Sequence, residues 1–352
     1  MSSSVPLAQS RFMTPRRRAR RSARVGQTVF VTVLLALTLT QLGAGTAAAR
    51  DREGAATVTG LTQVDGALWE MTVDSPTMGS VPFQVIRPNG APAGAPTLYL
   101  LNGAGGGEDG ANWLAQTDAQ QFFADKFVNV VIPARGLGSY YTDWIAADPR
   151  MGQPMWATFL TDELPAAVDH ALAGNGRNAI AGLSMSATSV LDLATIAPGL
   201  YRSVAAYSGC ARTSTPEGEA AVRGIVYAAA GGDADNMWGP SGSPLWRQHD
   251  PYLNAEKLRG TRLYLSSGSG TPGRYDTPSA QAPGAPPIAN QILVGGALEA
   301  ATRACTEAMA KRLRQLSIPA QVHLPSAGTH SWGYWEDELH RSWPTLAAGL
   351  DD

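Results

Sequence analysis

From Leu68 onward, short apolar runs alternate with longer amphipathic stretches. Leu68–Val73, Val81–Ile86, Thr97–Leu101, Val128–Ile132, Ala179–Ala181, Val204–Ala206, Arg262–Ser266 and Gln321–Leu324 read as strands. Several are continuously apolar rather than alternating, as expected of strands covered on both faces. Helical periodicity falls at Ala119–Lys126, Trp156–Leu172, Met185–Ile196, Asn290–Leu316 and Tyr334–Leu346. Strand–helix alternation of this kind predicts an α/β fold, with a mostly parallel sheet of about eight strands flanked by helices. The first two strands, separated only by the short Asp74–Ser80 turn, are expected to open that sheet as an antiparallel pair. Gly268–Pro287 is too rich in Gly and Pro for a regular element and reads as a long surface loop near a functional site. Nothing in the composition marks a second domain, and no 20- to 50-residue repeat is visible, so a solenoid is not expected.

The N-terminus departs from this pattern. Residues 1–49 hold seven Arg and no acid. Arg16–Arg18, Arg20, Arg21 and Arg24 precede an apolar run, Val29–Leu42, which is short for a membrane span, and Ala47-Ala48-Ala49 follows. A basic segment, an apolar segment and a small-residue cleavage site are the layout of a secretory signal peptide. Residues 50–66 read as a polar lead-in and 67–352 as the folded domain.

Composition changes this picture mainly through charge. Of 352 residues, 44% are apolar and 16% charged, where globular chains carry about 25% charged residues. That apolar share excludes a disordered polyelectrolyte. The formal charge of −2 averages two unlike parts, since removing the seven N-terminal Arg takes it to −9. An acidic mature chain without a basic stripe argues against nucleic acid as a partner. In an oxidising compartment the only two cysteines, Cys210 and Cys305, are expected to form one disulfide.

The sharpest chemical signal is Gly182-Leu183-Ser184-Met185-Ser186, between a short apolar strand and a helix. Small residues two before and two after Ser184 allow a tight strand-to-helix turn that exposes Oγ as a nucleophile, with the Met185 amide facing a developing oxyanion. Gly239-Pro240-Ser241-Gly242-Ser243 has the same spacing but follows no strand, and reads as a turn. Among five histidines, His170 and His340 lie on polar helix faces and are expected to be solvated. His249 sits in a turn, and His323 lies within a strand as a core or edge histidine. His330 follows the last strand through a Pro-Ser-Ala-Gly-Thr loop, at the sheet end where the base belongs. Asp276 and Glu299 both stand where the acid is expected, and spacing does not separate them. The segment Leu98–Gly110 runs from a buried strand into a glycine-rich loop that suits a second oxyanion donor but lacks the dinucleotide fingerprint. No metal-ligating cluster is apparent, so neither metal nor cofactor is expected.

Beside this reading stands a resemblance spread over most of the chain. SPTMG (75–79), LYLLNG (98–103), YYTDW (140–144), WATFLTDELP (156–165), GLSMS (182–186), NMWGP (236–240), ALE (297–299) and GTHSWGYW (328–335) together resemble the antigen 85 mycolyltransferases. These are secreted serine acyltransferases of the α/β-hydrolase fold. The resemblance implies a single-domain α/β-hydrolase with Ser184 as nucleophile, His330 as base and Glu299, rather than Asp276, as acid. It further implies the Met185 and Ala104 amides as the oxyanion hole, and substrate contacts at Asn102, Gly103 and Trp332. The implied activity is transfer of a mycolyl or other long-chain acyl group from trehalose monomycolate to a trehalose glycolipid or cell-wall arabinan, in the cell envelope. This chain has Asn102 and Gly105 where trehalose-binding members carry an Asp and an Arg, and its cysteines do not match the family's usual placement. Losing that guanidinium fork keeps a secreted carboxylesterase open as an alternative. A non-catalytic envelope-binding protein is a further one. A Cys210–Cys305 bridge would pin the helix that presents Glu299.

Overall fold

We describe the protein from a computed structural model covering residues 54–280 and 287–351. Residues 1–49, read above as a signal peptide, and the 281–286 part of the Gly/Pro stretch lie outside the described residues. The strands are β1 (Thr57–Asp65), β2 (Leu68–Ser75), β3 (Gly79–Ile86), β4 (Thr97–Leu101), β5 (Asn129–Pro133), β6 (Asn178–Leu183), β7 (Tyr201–Tyr207), β8 (Arg262–Ser266) and β9 (Gln321–His323). The helices are α1 (Trp113–Gln116), α2 (Ala119–Phe123), α3 (Trp156–Thr158), α4 (Leu164–Leu172), α5 (Met185–Ile196), α6 (Pro216–Ala230), α7 (Ala234–Trp238), α8 (Pro244–Gln248), α9 (Ile288–Asn290), α10 (Gly296–Gln315) and α11 (Trp332–Asp351).

The strands form one nine-stranded sheet in the order β1-β2-β3-β5-β4-β6-β7-β8-β9. The pairs β1–β2, β2–β3 and β3–β5 are antiparallel and the others parallel. Every strand expected from apolar patterning is present, including the antiparallel opening pair. The additional strand is β1, which occupies most of the segment read as a polar lead-in. Its Thr-Val-Thr start has β propensity. As the sheet's edge strand it leaves most of its side chains exposed, so it needs no apolar run.

Alternation along the central strands builds two cores. Tyr99 and Leu101 of β4 join Val204, Leu263 and the α5 side chains Val190 and Leu193 on one face. Leu98 and Leu100 join Trp113, Phe123 and the α11 side chains Leu339 and Leu346 on the other. Both faces of the parallel strands are therefore covered, which is why their sequences are apolar throughout. Trp113 is fully buried, and its indole N–H donates to the Leu101 carbonyl at 2.9 Å.

Two predicted helices are interrupted rather than continuous. Between α3 and α4, Phe159–Glu163 forms a π-turn. Pro165 cannot donate a backbone hydrogen bond there, so the ladder changes register around it. A second π-turn, Gln291–Gly295, joins α9 to α10. The helices α6, α7 and α8 were not legible as periodic stretches. Only Gly218, Val222 and Val226 of α6 are buried, too few to make an apolar stripe.

Candidate active site

The parallel register aligns Leu101 with Gly182 and Tyr207 with Ser266, so β4, β6, β7 and β8 end side by side. Their C-terminal ends lead into the segments that hold Asn102, Ser184, Ser208 and Ser267. This edge is where an open α/β sheet gathers ligands.

Ser184 sits between β6 and α5 at φ 55°, ψ −120°, a backbone conformation rarely used by residues other than glycine. Its neighbours make that turn possible. A Cβ at Gly182 would fall 2.5 Å from Ser186 Oγ and 2.8 Å from the Ser186 carbonyl oxygen. Ser186 itself is fully buried and its hydroxyl accepts the Leu183 amide at 2.9 Å. The Ser184 amide donates to the Tyr207 carbonyl at 2.8 Å, fastening the turn to the next strand. The small residues expected on either side of the serine are thus required by contact.

Ser184 Oγ lies 2.8 Å from His330 Nε2, and His330 Nδ1 lies 2.7 Å from Glu299 Oε2. Glu299 is 1% exposed, and its other oxygen, Oε1, accepts from Ser208 Oγ (2.7 Å), Ser267 Oγ (3.0 Å) and the Gly268 amide (2.5 Å). The indole N–H of Trp335 donates to Ser208 Oγ at 3.0 Å. Its ring meets the His330 imidazole edge to face, with centroids 4.9 Å apart. A carboxylate held by three donors at one oxygen leaves the other to orient the imidazole, the arrangement a serine nucleophile requires. The Met185 amide belongs to the first turn of α5, where a helix leaves amides without internal partners. Ala104 follows Gly103, where a Cβ would lie 3.7 Å from Ser184 Cβ, in a turn closed by the Gly106 amide donating to the Gly103 carbonyl at 3.0 Å. The Ala104 carbonyl accepts the Gly138 amide at 2.8 Å. Glu108 Oε1 braces the same loop by accepting the Gly136 and Leu137 amides at 3.0 and 3.1 Å.

The two candidate acids are separated by these contacts. Asp276 is not beside the imidazole but bonded to Thr329, Tyr334, Gln291 and the Gly273 amide. Cys210 and Cys305 are joined as a disulfide with Cα atoms 5.0 Å apart. It ties the segment just after Ser208 to α10, the helix that carries Glu299. Within residues 268–280 of the Gly/Pro stretch, the Gly268 amide bonds Glu299 and Asp276 bonds Thr329, the residue before His330, and the segment includes one short 3-10 turn at Pro278–Ala280.

The other expected residues are placed as follows. Asn102 is 1% exposed, with Nδ2 donating to the Pro133 carbonyl at 2.9 Å and Oδ1 accepting the Trp113 amide at 3.3 Å. Its polar atoms brace the exit of β4. Gly103 is buried against the serine turn, where a Cβ would fall 2.8 Å from Leu183 Cδ1. Trp332 is half-buried and meets Trp113 and Trp335 edge on, at 5.6 and 5.3 Å. At Gly105 a side chain would collide with Asp109, whose carboxylate fills that space. His170 is exposed as expected, whereas His340 stacks on Phe122 at 4.0 Å and bonds Asp118 at 2.7 Å. His323 and His249 are satisfied by Glu338 and Asp192, at 2.7 and 2.8 Å. Ser208, Ser267 and Trp335 were not anticipated. For the two serines the signal was a hydroxyl residue followed by glycine at the ends of β7 and β8, Ser208-Gly209 and Ser267-Gly268, and for Trp335 its place at the end of the GTHSWGYW segment.

Among the described residues no group of three or more His, Cys, Asp and Glu side chains is placed to hold a metal ion, and no helix is long and apolar enough to cross a membrane.

Comparison with known proteins places the chain among relatives. Residues 75–346 match the Esterase family. The diacylglycerol acyltransferase/mycolyltransferase Ag85A of Mycobacterium leprae is 32% identical over 292 residues, covering 78% of this chain and 81% of the relative. Ag85B of the same organism is 32% identical over 307 residues, covering 83% and 87%. Among solved structures, Mycobacterium tuberculosis MPT51 superposes with a TM-score of 0.64 at 24% identity, over 79% of this chain and 97% of that one. An S-formylglutathione hydrolase from Agrobacterium tumefaciens superposes with a TM-score of 0.59 at 15% identity, over 82% and 98%. The two structural matches establish the shared α/β-hydrolase fold.

Proposed function

This chain belongs to the Ag85-type diacylglycerol acyltransferase/mycolyltransferase family, and on that premise we propose that it is a serine acyltransferase working through an acyl-Ser184 intermediate. The observation that carries the proposal is the hydrogen-bonded series Glu299–His330–Ser184 at the C-terminal edge of the sheet. His330 Nε2 takes the Oγ proton as Oγ attacks an acyl ester carbonyl. Glu299 keeps the imidazole in the tautomer that leaves Nε2 free to accept, and stabilises the imidazolium. The Met185 and Ala104 amides receive the oxyanion, and each such donor contributes about 3 kcal/mol to the barrier. His330 then returns its proton to the departing alkoxide, leaving acyl-Ser184. A sugar hydroxyl reverses these steps to collect the acyl group, with ping-pong kinetics.

The donor proposed is trehalose monomycolate or a related long-chain acyl trehalose, and the acceptor a second trehalose ester or cell-wall arabinan. Residues 1–49 would direct the enzyme out of the cell to this substrate. Incubation of the purified chain with radiolabelled trehalose monoester tests the proposal. Labelled diester with release of trehalose is the expected result, and absence of both diester and free acid would leave a binding role.

One observation favours a hydrolase as the second possibility. The Asp109 carboxylate, not a guanidinium, occupies the space beside Gly105 and presents an acceptor where a sugar-binding fork would present donors. Free acid as the dominant product in the same assay would select it.

A further inference from the structure

Asp276 loses its place as the acid, yet it is 8% exposed and uses both carboxylate oxygens. Oδ1 accepts from Thr329 Oγ1 at 2.5 Å and Gln291 Nε2 at 2.8 Å. Oδ2 accepts from the Gly273 amide and the Tyr334 hydroxyl, both at 2.7 Å. Burial alone would raise this carboxyl, but the hydrogen bonds from Thr329, Gly273, Tyr334 and Gln291 outweigh it and hold the group below the ordinary carboxylate value.

Three of those donors lie on the segments that lead to or contact His330. Thr329 precedes it in the chain and is 1% exposed. Gln291 opens the π-turn whose last carbonyl, from Gly295, accepts the His330 amide at 3.2 Å. Tyr334 lies in the first turn of α11, and its ring meets Tyr275 edge to face at 5.0 Å. The loop carrying Asp276 is also joined backbone to backbone with the segment leading to His330. The Gly270 amide donates to the Gly328 carbonyl and the Gly328 amide to the Thr271 carbonyl, both at 2.8 Å. No regular element contains His330, which lies between β9 and α11. Its imidazole must nevertheless satisfy contacts of 2.8 Å and 2.7 Å at opposite nitrogens.

We propose that Asp276 is a positioning residue for the base. By holding Thr329, Gln291 and Tyr334 together, it fixes the loop that sets the His330 imidazole in line between Glu299 and Ser184. This rests on the catalytic reading of that series given above. A displacement of about 1 Å in such a constellation costs on the order of 100-fold in rate, which sets the scale of the effect.

The test compares Asp276→Ala, Thr329→Val and the double variant, all as full-length mature protein. Three quantities are read: kcat and KM on a short-chain chromogenic ester, the rate of Ser184 labelling by a phosphonate, and the low-field NMR signal of the His330 Nδ1 proton. In each single variant kcat and labelling should fall about 10- to 100-fold, with KM within about twofold. The low-field signal should be lost or broadened. The double variant should be no worse than the poorer single variant, because both changes cut one connection. Asp276→Asn, which keeps an acceptor for Thr329, should recover part of the rate. Wild-type kcat with an unchanged low-field signal would overturn the proposal, as would losses that multiply in the double variant. If Asp276→Ala does not fold, Thr329→Val alone decides by the same criteria. Failure of the catalytic reading looks different: the phosphonate would then not label Ser184 in the unsubstituted protein. In that event the His330 signal still reports whether Asp276 places the ring.

Discussion

Ser184 is shaped mainly by its immediate neighbours in sequence, with one backbone tie to Tyr207, whereas Glu299 and His330 are fixed by segments far from them along the chain. The serine turn is made by Gly182, Leu183 and Ser186, within one strand–helix junction. Glu299 is held by Ser208 and by Ser267 and Gly268, 91, 32 and 31 residues away, and its helix is tied by a disulfide spanning 95 residues. The proposed nucleophile is therefore mainly a local device and the proposed acid–base pair a tertiary one. Damage to the first should act on chemistry at once. Damage to the second should act through stability and loop order as well.

The largest expected effect lies at the junction of the two sides. Glu299→Gln keeps the shape of the acid but removes its charge, and turnover should fall about 10³- to 10⁴-fold, with thermal stability lowered as well because Ser208, Ser267 and Gly268 lose a charged acceptor. A loss of less than tenfold would show that Ser184 and His330 do not depend on the tertiary side. Next, Gly182→Val drives a side chain into Ser186 and should cost on the order of 100-fold in kcat by displacing Oγ. Unchanged Ser184 labelling in that variant would contradict the local account of the turn.

Cutting the covalent tie separates the two sides more gently. Cys210→Ala with Cys305→Ala should lower unfolding free energy by about 2–5 kcal/mol in denaturant titration. Activity should fall less than tenfold below the melting range, because Ser208, Ser267 and Gly268 still hold the carboxylate. The smallest effect is on pH dependence. The carboxyl of Asp276 is depressed in the folded state, so its contribution to stability is complete above its unfolded value. That contribution is lost as pH falls through the lower folded value. Asp276→Asn should therefore flatten the acid limb of the stability curve. In the unsubstituted protein, hydrogen-exchange protection at residues 268–280 should vanish at a higher pH than protection in α5.

The same division explains what was legible in the sequence. The central strands announce themselves because both faces are buried, so their residues are apolar without interruption. β1 escapes notice because an edge strand of Thr and Gln needs no such run. Ser184 was visible because strand, glycine, serine, small residue and helix follow one another within a few positions. His330 was visible from its place after the last strand. Glu299 and Asp276 were indistinguishable by spacing, since what separates them is which hydroxyls approach: Ser208 and Ser267 for one, Thr329 and Tyr334 for the other. At Asn102, the mouth of β4, the sequence gives no sign of the partners that its side-chain amide meets, the Pro133 carbonyl and the Trp113 amide, because both lie on other segments.

The most direct measurement is rapid-quench mass spectrometry of the protein mixed with a trehalose monoester, with the modified peptide sequenced. An acyl adduct on Ser184, formed within one turnover and discharged faster when a sugar acceptor is added, is the predicted result. Turnover with no adduct on Ser184, or an adduct on another residue that survives in Ser184→Ala, would contradict it.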